Sequence, residues 1–190
     1  MADRKKSDRR VARTQSLVLG AFYELILERG YDGFTARDLI ERADVGRSTF
    51  YEHFENKDDV FERSVAVPLG TLANALLAPE PSNALRGIIE HFWGNRGLSR
   101  ATFGGSARFV MERVLAGLIA ARLERRPGAT DAASAALPIG LVAAGFAAAQ
   151  LGLIGAWIDA DAPCDAATLA RALHASAQAM VAAVFKQATR

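Results

Sequence analysis

Cysteine and histidine are scarce in this chain, and each scarcity removes a class of explanation. The one cysteine, Cys164, excludes an intrachain disulfide and a cysteine-rich metal site. The three histidines, His53, His91 and His174, are too dispersed for a ligand cluster. No nucleophile–base pair or metal-ligand spacing is present. Phe103-Gly104-Gly105-Ser106 lacks the glycine spacing and the lysine of a phosphate-cradling loop, and reads as a turn. An enzyme is therefore not expected, and nothing calls for a cofactor or a metal. The basic N-terminus is not followed by the apolar stretch of a secretory signal, so the expectation is a soluble cytoplasmic protein.

An excess of charge of one sign is also missing. The formal net charge is +2 over 190 residues, too small to indicate a nucleic-acid partner by itself. The distribution is more informative: residues 1–13 carry net +4, residues 14–63 net −5, and the remainder net +3. Hydrophobic residues make up 51%, enough for a sizeable core, and charged residues 23%, which argues against wholesale disorder. The size allows one domain, or a small domain followed by a larger one.

The chain is organised around residues 34–57. Thr35 precedes Ala36-Arg37-Asp38-Leu39, so its hydroxyl can accept a first-turn N–H, with Asp38 as the reciprocal acid. Phe34 and Leu39 are spaced as a hydrophobic staple. Ala43-Asp44-Val45-Gly46 reads as a turn in which Gly46 takes a geometry that a Cβ resists. Arg47-Ser48-Thr49-Phe50-Tyr51-Glu52-His53-Phe54 then reads as a second helix. Phe50 and Phe54 share its inner face. Arg47, Ser48, Thr49, Tyr51 and His53 remain on the other side. Two short helices joined by a tight turn are a helix-turn-helix, whose second helix enters the major groove. Arg47 can donate two bonds to a guanine edge, and Ser48 and Thr49 can reach base edges or methyl groups. Tyr51, His53 and Lys57 suit phosphate oxygens. Asn56 caps the next helix, so that helix's first N–H groups can also face a phosphate.

The run FTARDLIERADVGRSTFYEHFENKDDVF resembles the DNA-binding signature of the TetR-type transcriptional regulators. Its matching elements are Thr35 opening the second helix, Ala43-Asp44-Val45 at the turn, Thr49-Phe50-Tyr51, His53-Phe54 and Asn56-Lys57. The likeness runs from about Val11 to Val65. It implies an all-α protein of about nine helices: a basic arm and three-helix DNA-binding domain over residues 1–64, then a helical ligand-binding and dimerisation domain over residues 65–190. It also implies a homodimeric regulator, usually a repressor, released from a near-palindromic operator by a small-molecule effector. The expected DNA-contacting set is Thr35, Arg37, Val45, Gly46, Arg47, Ser48, Thr49, Tyr51, His53 and Lys57, with Lys5 and Lys6 from the arm. The alternative is an all-helical interaction module that never touches DNA.

The rest of the chain reads as scaffold, pocket and seam. Residues 1–10 form a polar basic arm, either lying along DNA or solvated. Leu17, Ala21, Phe22, Leu25 and Ile26 make a helical stripe ended by Gly30. A helix from Lys57 toward Val65 is expected to end or kink at Pro68 and to resume over Leu69–Leu77. Ala78-Pro79-Glu80-Pro81 is a break, and Gly94-Asn95-Arg96-Gly97 another. His91, Phe92, Trp93, Phe103, Phe109, Met111, Phe146, Gln150 and Trp157 lie on helices that would surround a cavity. Their character favours a hydrophobic or aromatic ligand over an anion.

Leu137–Ile158 contains no charge and is long enough to span a bilayer. Its small residues and Gln150 argue instead for a buried helix–helix seam, so no membrane partner is expected. Gly140, Ala144, Ala148 and Gly152 recur at helical spacing. A last helix, opened by Asp165, carries Leu169, Leu173, Ser176, Met180 and Val184. These two helices resemble the dimer-forming pair of the TetR-type regulators, and the nine positions are the expected dimer interface.

Overall fold

Short polar side chains set the helix starts that position the site. In the computed structural model, which describes residues 2–125 and 137–185, Thr35 opens α2 (Ala36–Arg42) with a complete capping box. Its hydroxyl accepts from the Asp38 N–H at 3.3 Å, and the Asp38 carboxylate accepts from the Thr35 N–H at 2.8 Å. Asn56 opens α4 (Lys57–Leu77) by accepting from the Asp59 N–H at 3.0 Å. Asp165 opens α9 (Ala166–Phe185) by accepting from the Thr168 N–H at 2.6 Å. The remaining helices are α1 (Ala2–Arg29), α3 (Arg47–His53), α5 (Asn83–Gly94), α6 (Arg96–Phe103), α7 (Gly105–Leu123) and α8 (Ile139–Asp159). A 3-10 turn, Tyr31–Gly33, follows α1. The described residues thus contain nine α-helices and no strand, an all-α fold.

A continuous core joins the two ends of the molecule. Phe22 of α1 stacks on Phe61 of α4 with ring centroids 5.4 Å apart, and meets Phe34 edge-on at 5.6 Å. Phe50 and Phe54 bury the inner face of α3. Each fully buried side chain of this size is worth roughly 1.5–3 kcal/mol relative to exposure. Further along, α7 packs against both α4 and α8, and α9 closes over α4 and α5. His174 and Gln178 of α9 reach the residue that caps the end of α4: the imidazole lies 3.0 Å from the Ala78 oxygen and the amide donates to it at 2.9 Å. Helix ends leave such carbonyls without intrahelical partners.

Several expectations change. The basic arm is helical: α1 begins at Ala2, because no glycine or proline interrupts residues 2–19 and arginine, lysine and alanine favour helix. Leu17 is exposed, whereas the rest of its stripe is buried. Pro68 does not break α4, since Phe61, Leu69 and Leu72 anchor both halves of the helix in one core. The glycine-containing segment after α5 is not simply a break but holds α6, with Ser99 donating to the Phe92 carbonyl at 2.8 Å. At the turn before α3 the left-handed residue is Asp44 (φ 50), while Gly46 sits at an ordinary φ of −63. A Cβ at Gly46 would meet Thr49 at 3.6 Å, an ordinary contact, so the geometry expected of Gly46 belongs to Asp44.

Helix α8, whose one charged residue is its last, Asp159, has the length and mean hydropathy (1.8) of a membrane span, but 44% of its apolar window is buried inside the fold. Val142, Phe146, Leu151 and Ile154 face the core. Leu169 and Leu173 of α9 also face inward and are fully used within the protomer, which removes them from the expected dimer seam. Arg108 of α7 lies across α8, donating to the Ala148 carbonyl at 3.2 Å, with its guanidinium 3.1 Å from where a Cβ at Gly152 would stand. The small residues there make room for this arginine.

Candidate nucleic-acid interface

Helix α3 is held by its apolar face and leaves its polar face outward. Phe50 is fully buried and packs on Phe54 at 5.6 Å between centroids. Arg47 and Ser48 are exposed, Tyr51 is 49% exposed, and Thr49 and His53 are half-buried. The Arg47 guanidinium lies 5.8 Å from the Tyr51 ring centroid, so the two side chains share one outer ridge. Gly46 is exposed at the head of this helix and Val45 is half-buried beneath it. Thr35 and Arg37 stand at the exposed start of α2, where Arg37 pairs with Glu41 at 2.8 Å.

Most of the acidic side chains of residues 14–63 are paired on the scaffold, while Asp44, Glu52 and Glu55 stay exposed. Arg42 forks onto Glu28, at 2.8 and 2.9 Å, and also reaches Glu24 at 3.2 Å, tying α2 to α1. Arg63 forks onto Asp59 and covers the Phe54 ring at 4.9 Å. Asp38 closes the capping box, and the Thr35 hydroxyl and N–H bonds hold its carboxyl below the usual carboxylate range. Tyr31 donates to Asp58 from a buried ring; burial first, then that hydrogen bond, push the phenol well above its ordinary range. Among the described residues Arg47 forms no ion pair, so its full charge faces outward.

Lys57 occupies a different place from the one expected. Its ammonium donates to the Tyr31 carbonyl at 2.7 Å and the Phe34 carbonyl at 3.1 Å, and lies 4.1 Å from the Tyr31 ring centroid. It staples α4 to the turn after α1, so two of its three donors are committed to the fold. Lys5 and Lys6 lie on the first turns of α1, beyond the described side chains.

The proposed ligand-lining residues do not converge on one described cavity. Phe92 meets Phe103 edge-on at 5.2 Å, and Trp93 meets Trp157 at 5.3 Å. Met111, Phe146 and Gln150 are buried, and His91 is exposed. Phe109 is 70% exposed on the outer face of α7, so it lines no interior space. The Gln150 amide donates to Ser176 at 3.0 Å, and its Oε1 is the one buried side-chain oxygen or nitrogen among the described residues without a partner.

Two ties that periodicity does not mark join the helix-turn-helix domain and α4 to α7. Ser106 at the start of α7 donates to Asp32, and Arg113 of α7 pairs with Glu62 of α4. Sequence reasoning missed both, because neither residue type nor spacing singles them out.

This arrangement defines a helix-turn-helix protein. Its N-terminal domain is of the TetR family: residues 18–63 match the family of bacterial regulatory proteins described as tetR. The chain is similar to an uncharacterised helix-turn-helix transcriptional regulator, YdeS, of Bacillus subtilis, 33% identical over 78 residues. That likeness covers 41% of this chain and 38% of YdeS, so the chain spans well under half the length of that curated relative. It is also similar to IcaR of Staphylococcus aureus, the negative transcriptional regulator of the biofilm operon icaADBC: 32% identical over 53 residues, 28% of each chain. Over almost the whole fold it resembles a TetR transcriptional regulator of Streptococcus agalactiae, with a TM-score of 0.57, 20% identity, and coverage of 91% of this chain and 98% of that one.

Proposed function

We propose that this chain is a dimeric DNA-binding transcriptional regulator, acting as a repressor that a small ligand releases from a near-palindromic operator. The observation that carries the reading is the outer ridge of α3. Arg47, Ser48, Thr49, Tyr51 and His53 face outward on a helix whose other face is locked by Phe50 and Phe54. Arg47 reads a guanine edge, Ser48 and Thr49 contact neighbouring bases, and Tyr51 and His53 hold phosphates. Thr35, Arg37, Val45 and Gly46 border the same surface, and the start of α1 with Lys5 and Lys6 adds a basic flank. Lys57 acts indirectly, by fixing the angle between α4 and the reading domain.

Dimerisation falls to the outer faces of α8 and α9. Leu141 (60% exposed) and Leu153 (43% exposed) stand among Gly140, Ala144, Ala148, Gly152 and Ala156 on α8. Ser176 and the half-buried Met180 and Val184 continue that face on α9. Two reading helices held one DNA turn apart then face two half-sites. The ties Ser106–Asp32 and Arg113–Glu62 support a route from the later helices to the reading head. A hydrophobic or aromatic effector near Phe92, Phe103, Met111, Phe146 and Gln150 shifts the dimer away from the DNA-bound spacing by binding one conformation better. A tenfold loss of operator affinity needs only about 1.4 kcal/mol of coupling. The domain division at residues 64 and 65 falls inside α4, which makes that helix the shared lever. Action on DNA places the protein in the cytoplasm, without a membrane partner.

A mobility-shift assay on the DNA upstream of its own gene tests the reading. The expected result is a complex at nanomolar protein that unrelated DNA does not compete away. A chain that binds both DNAs equally, or neither, is instead an interaction module.

A further inference from the structure

One feature takes no part in the reading surface: a cleft of about 440 Å³ between the end of α5 and the turn joining α8 to α9. Trp93 and Trp157 form its aromatic wall, their rings 5.3 Å apart and tilted by 57°. Trp157 is buried and donates its indole N–H to the Cys164 carbonyl at 2.8 Å, which fixes the ring. Around the wall stand Glu90, Asp161 and Asp165, and among the described residues lining the cleft none is basic. Arg86 and Arg100 pair with Glu90 and Asp161 from outside that lining, in exposed contacts that exchange readily. The Trp93 ring already takes a cation of the chain, since the Arg96 guanidinium, which lines a neighbouring cleft, lies 5.5 Å from its centroid.

We propose that this cleft binds a small organic cation carrying a methylated or quaternary ammonium group. The face of an indole is the strongest of the aromatic seats for a cation, and carboxylates on the rim add long-range attraction. A quaternary ammonium brings no N–H donors, so it leaves none unmet against the indoles, and its methyl groups bury well on apolar rings. An anion would meet three carboxylates, and a neutral apolar molecule would gain nothing from them. Binding here is separate from operator recognition, and its test needs no DNA.

The chain supplies its own reporters. Its only two tryptophans form the wall, and its only cysteine, Cys164, lines the cleft. Choline and its neutral carbon isostere, 3,3-dimethyl-1-butanol, are titrated at constant ionic strength while tryptophan emission is followed. Choline should shift the emission saturably and slow the alkylation of Cys164 by iodoacetamide, with the alcohol about tenfold weaker or worse. Glu90→Gln combined with Asp161→Asn, two exposed positions, should weaken choline roughly threefold or more while helix content stays unchanged. Trp93→Leu should abolish the shift seen through Trp157. An equal response to the alcohol, an unaltered choline affinity in the Gln/Asn variant, or neither shift nor protection at about 100 mM choline, a level far weaker than millimolar binding, would overturn the assignment.

Discussion

Lys57 and Arg47 divide the two tasks open to a basic side chain at a DNA-facing domain. Lys57 spends two of its three donors on the Tyr31 and Phe34 carbonyls. Lys57→Met should therefore lower stability by about 1–3 kcal/mol in urea unfolding, since bonds to a charged donor are the stronger ones, while leaving base preference intact. Arg47 is exposed and makes no ion pair among the described residues. Arg47→Ala should leave the melting temperature unchanged and cost about 1–3 kcal/mol of discrimination at one base pair per half-site, measured by competition binding. Unaltered base preference would remove Arg47 from the readers. Tyr31 tests the joint beneath them. Its phenol is pushed above its ordinary range by burial and by Asp58, so its contribution to stability is full below the unfolded value of about 10 and is lost as pH climbs past it. Stability of the natural protein should fall between pH 9 and 11 by more than that of Tyr31→Phe, with urea midpoints as the readout.

At the scale of the element, the helix starts set by a capping side chain were legible in the residues, and the uncapped starts of α1 and α6 and the helix continuations were not. Thr35, Asn56 and Asp165 cap where their side chains and following acids or amides say they should. The outward ridge of α3 follows from the spacing of Phe50 and Phe54. By contrast, Pro68 argues locally for a break, and only the buried Phe61, Leu69 and Leu72 hold α4 together across it. The glycines around α6 hide a helix whose stability comes from the Ser99–Phe92 bond and from packing on α1 and α8. Small-residue spacing on α8 likewise could not tell a partner from an arginine of the same chain, and part of that surface belongs to Arg108. The exposed side of α8 therefore lies at Leu141, Ala144 and Leu153. Leu153→Arg should turn a dimer into a monomer in sedimentation velocity without loss of helix content. A dimer that survives would put the seam elsewhere.

For the whole molecule, the proposed dimer depends on how a surface on α3 is fixed relative to the later helices. The aromatic core around Phe22, Phe34 and Phe61 makes the reading domain stiff. The α4 lever, with its end capped by His174 and Gln178 of α9, connects that domain to the helices assigned to dimerisation. None of this long-range linkage was visible in the sequence, because contacts such as Arg113–Glu62 and Ser106–Asp32 join residues far apart in the chain.

Selection of bound DNA from a random library tests most directly whether the α3 ridge acts as a paired reader. The natural protein should enrich two inverted half-sites whose centres lie about ten base pairs, or a multiple of that, apart, and Arg47→Ala should lose one specified base in each half. Enrichment of a single unpaired site, of no site, or of the same sequence by both proteins would contradict it.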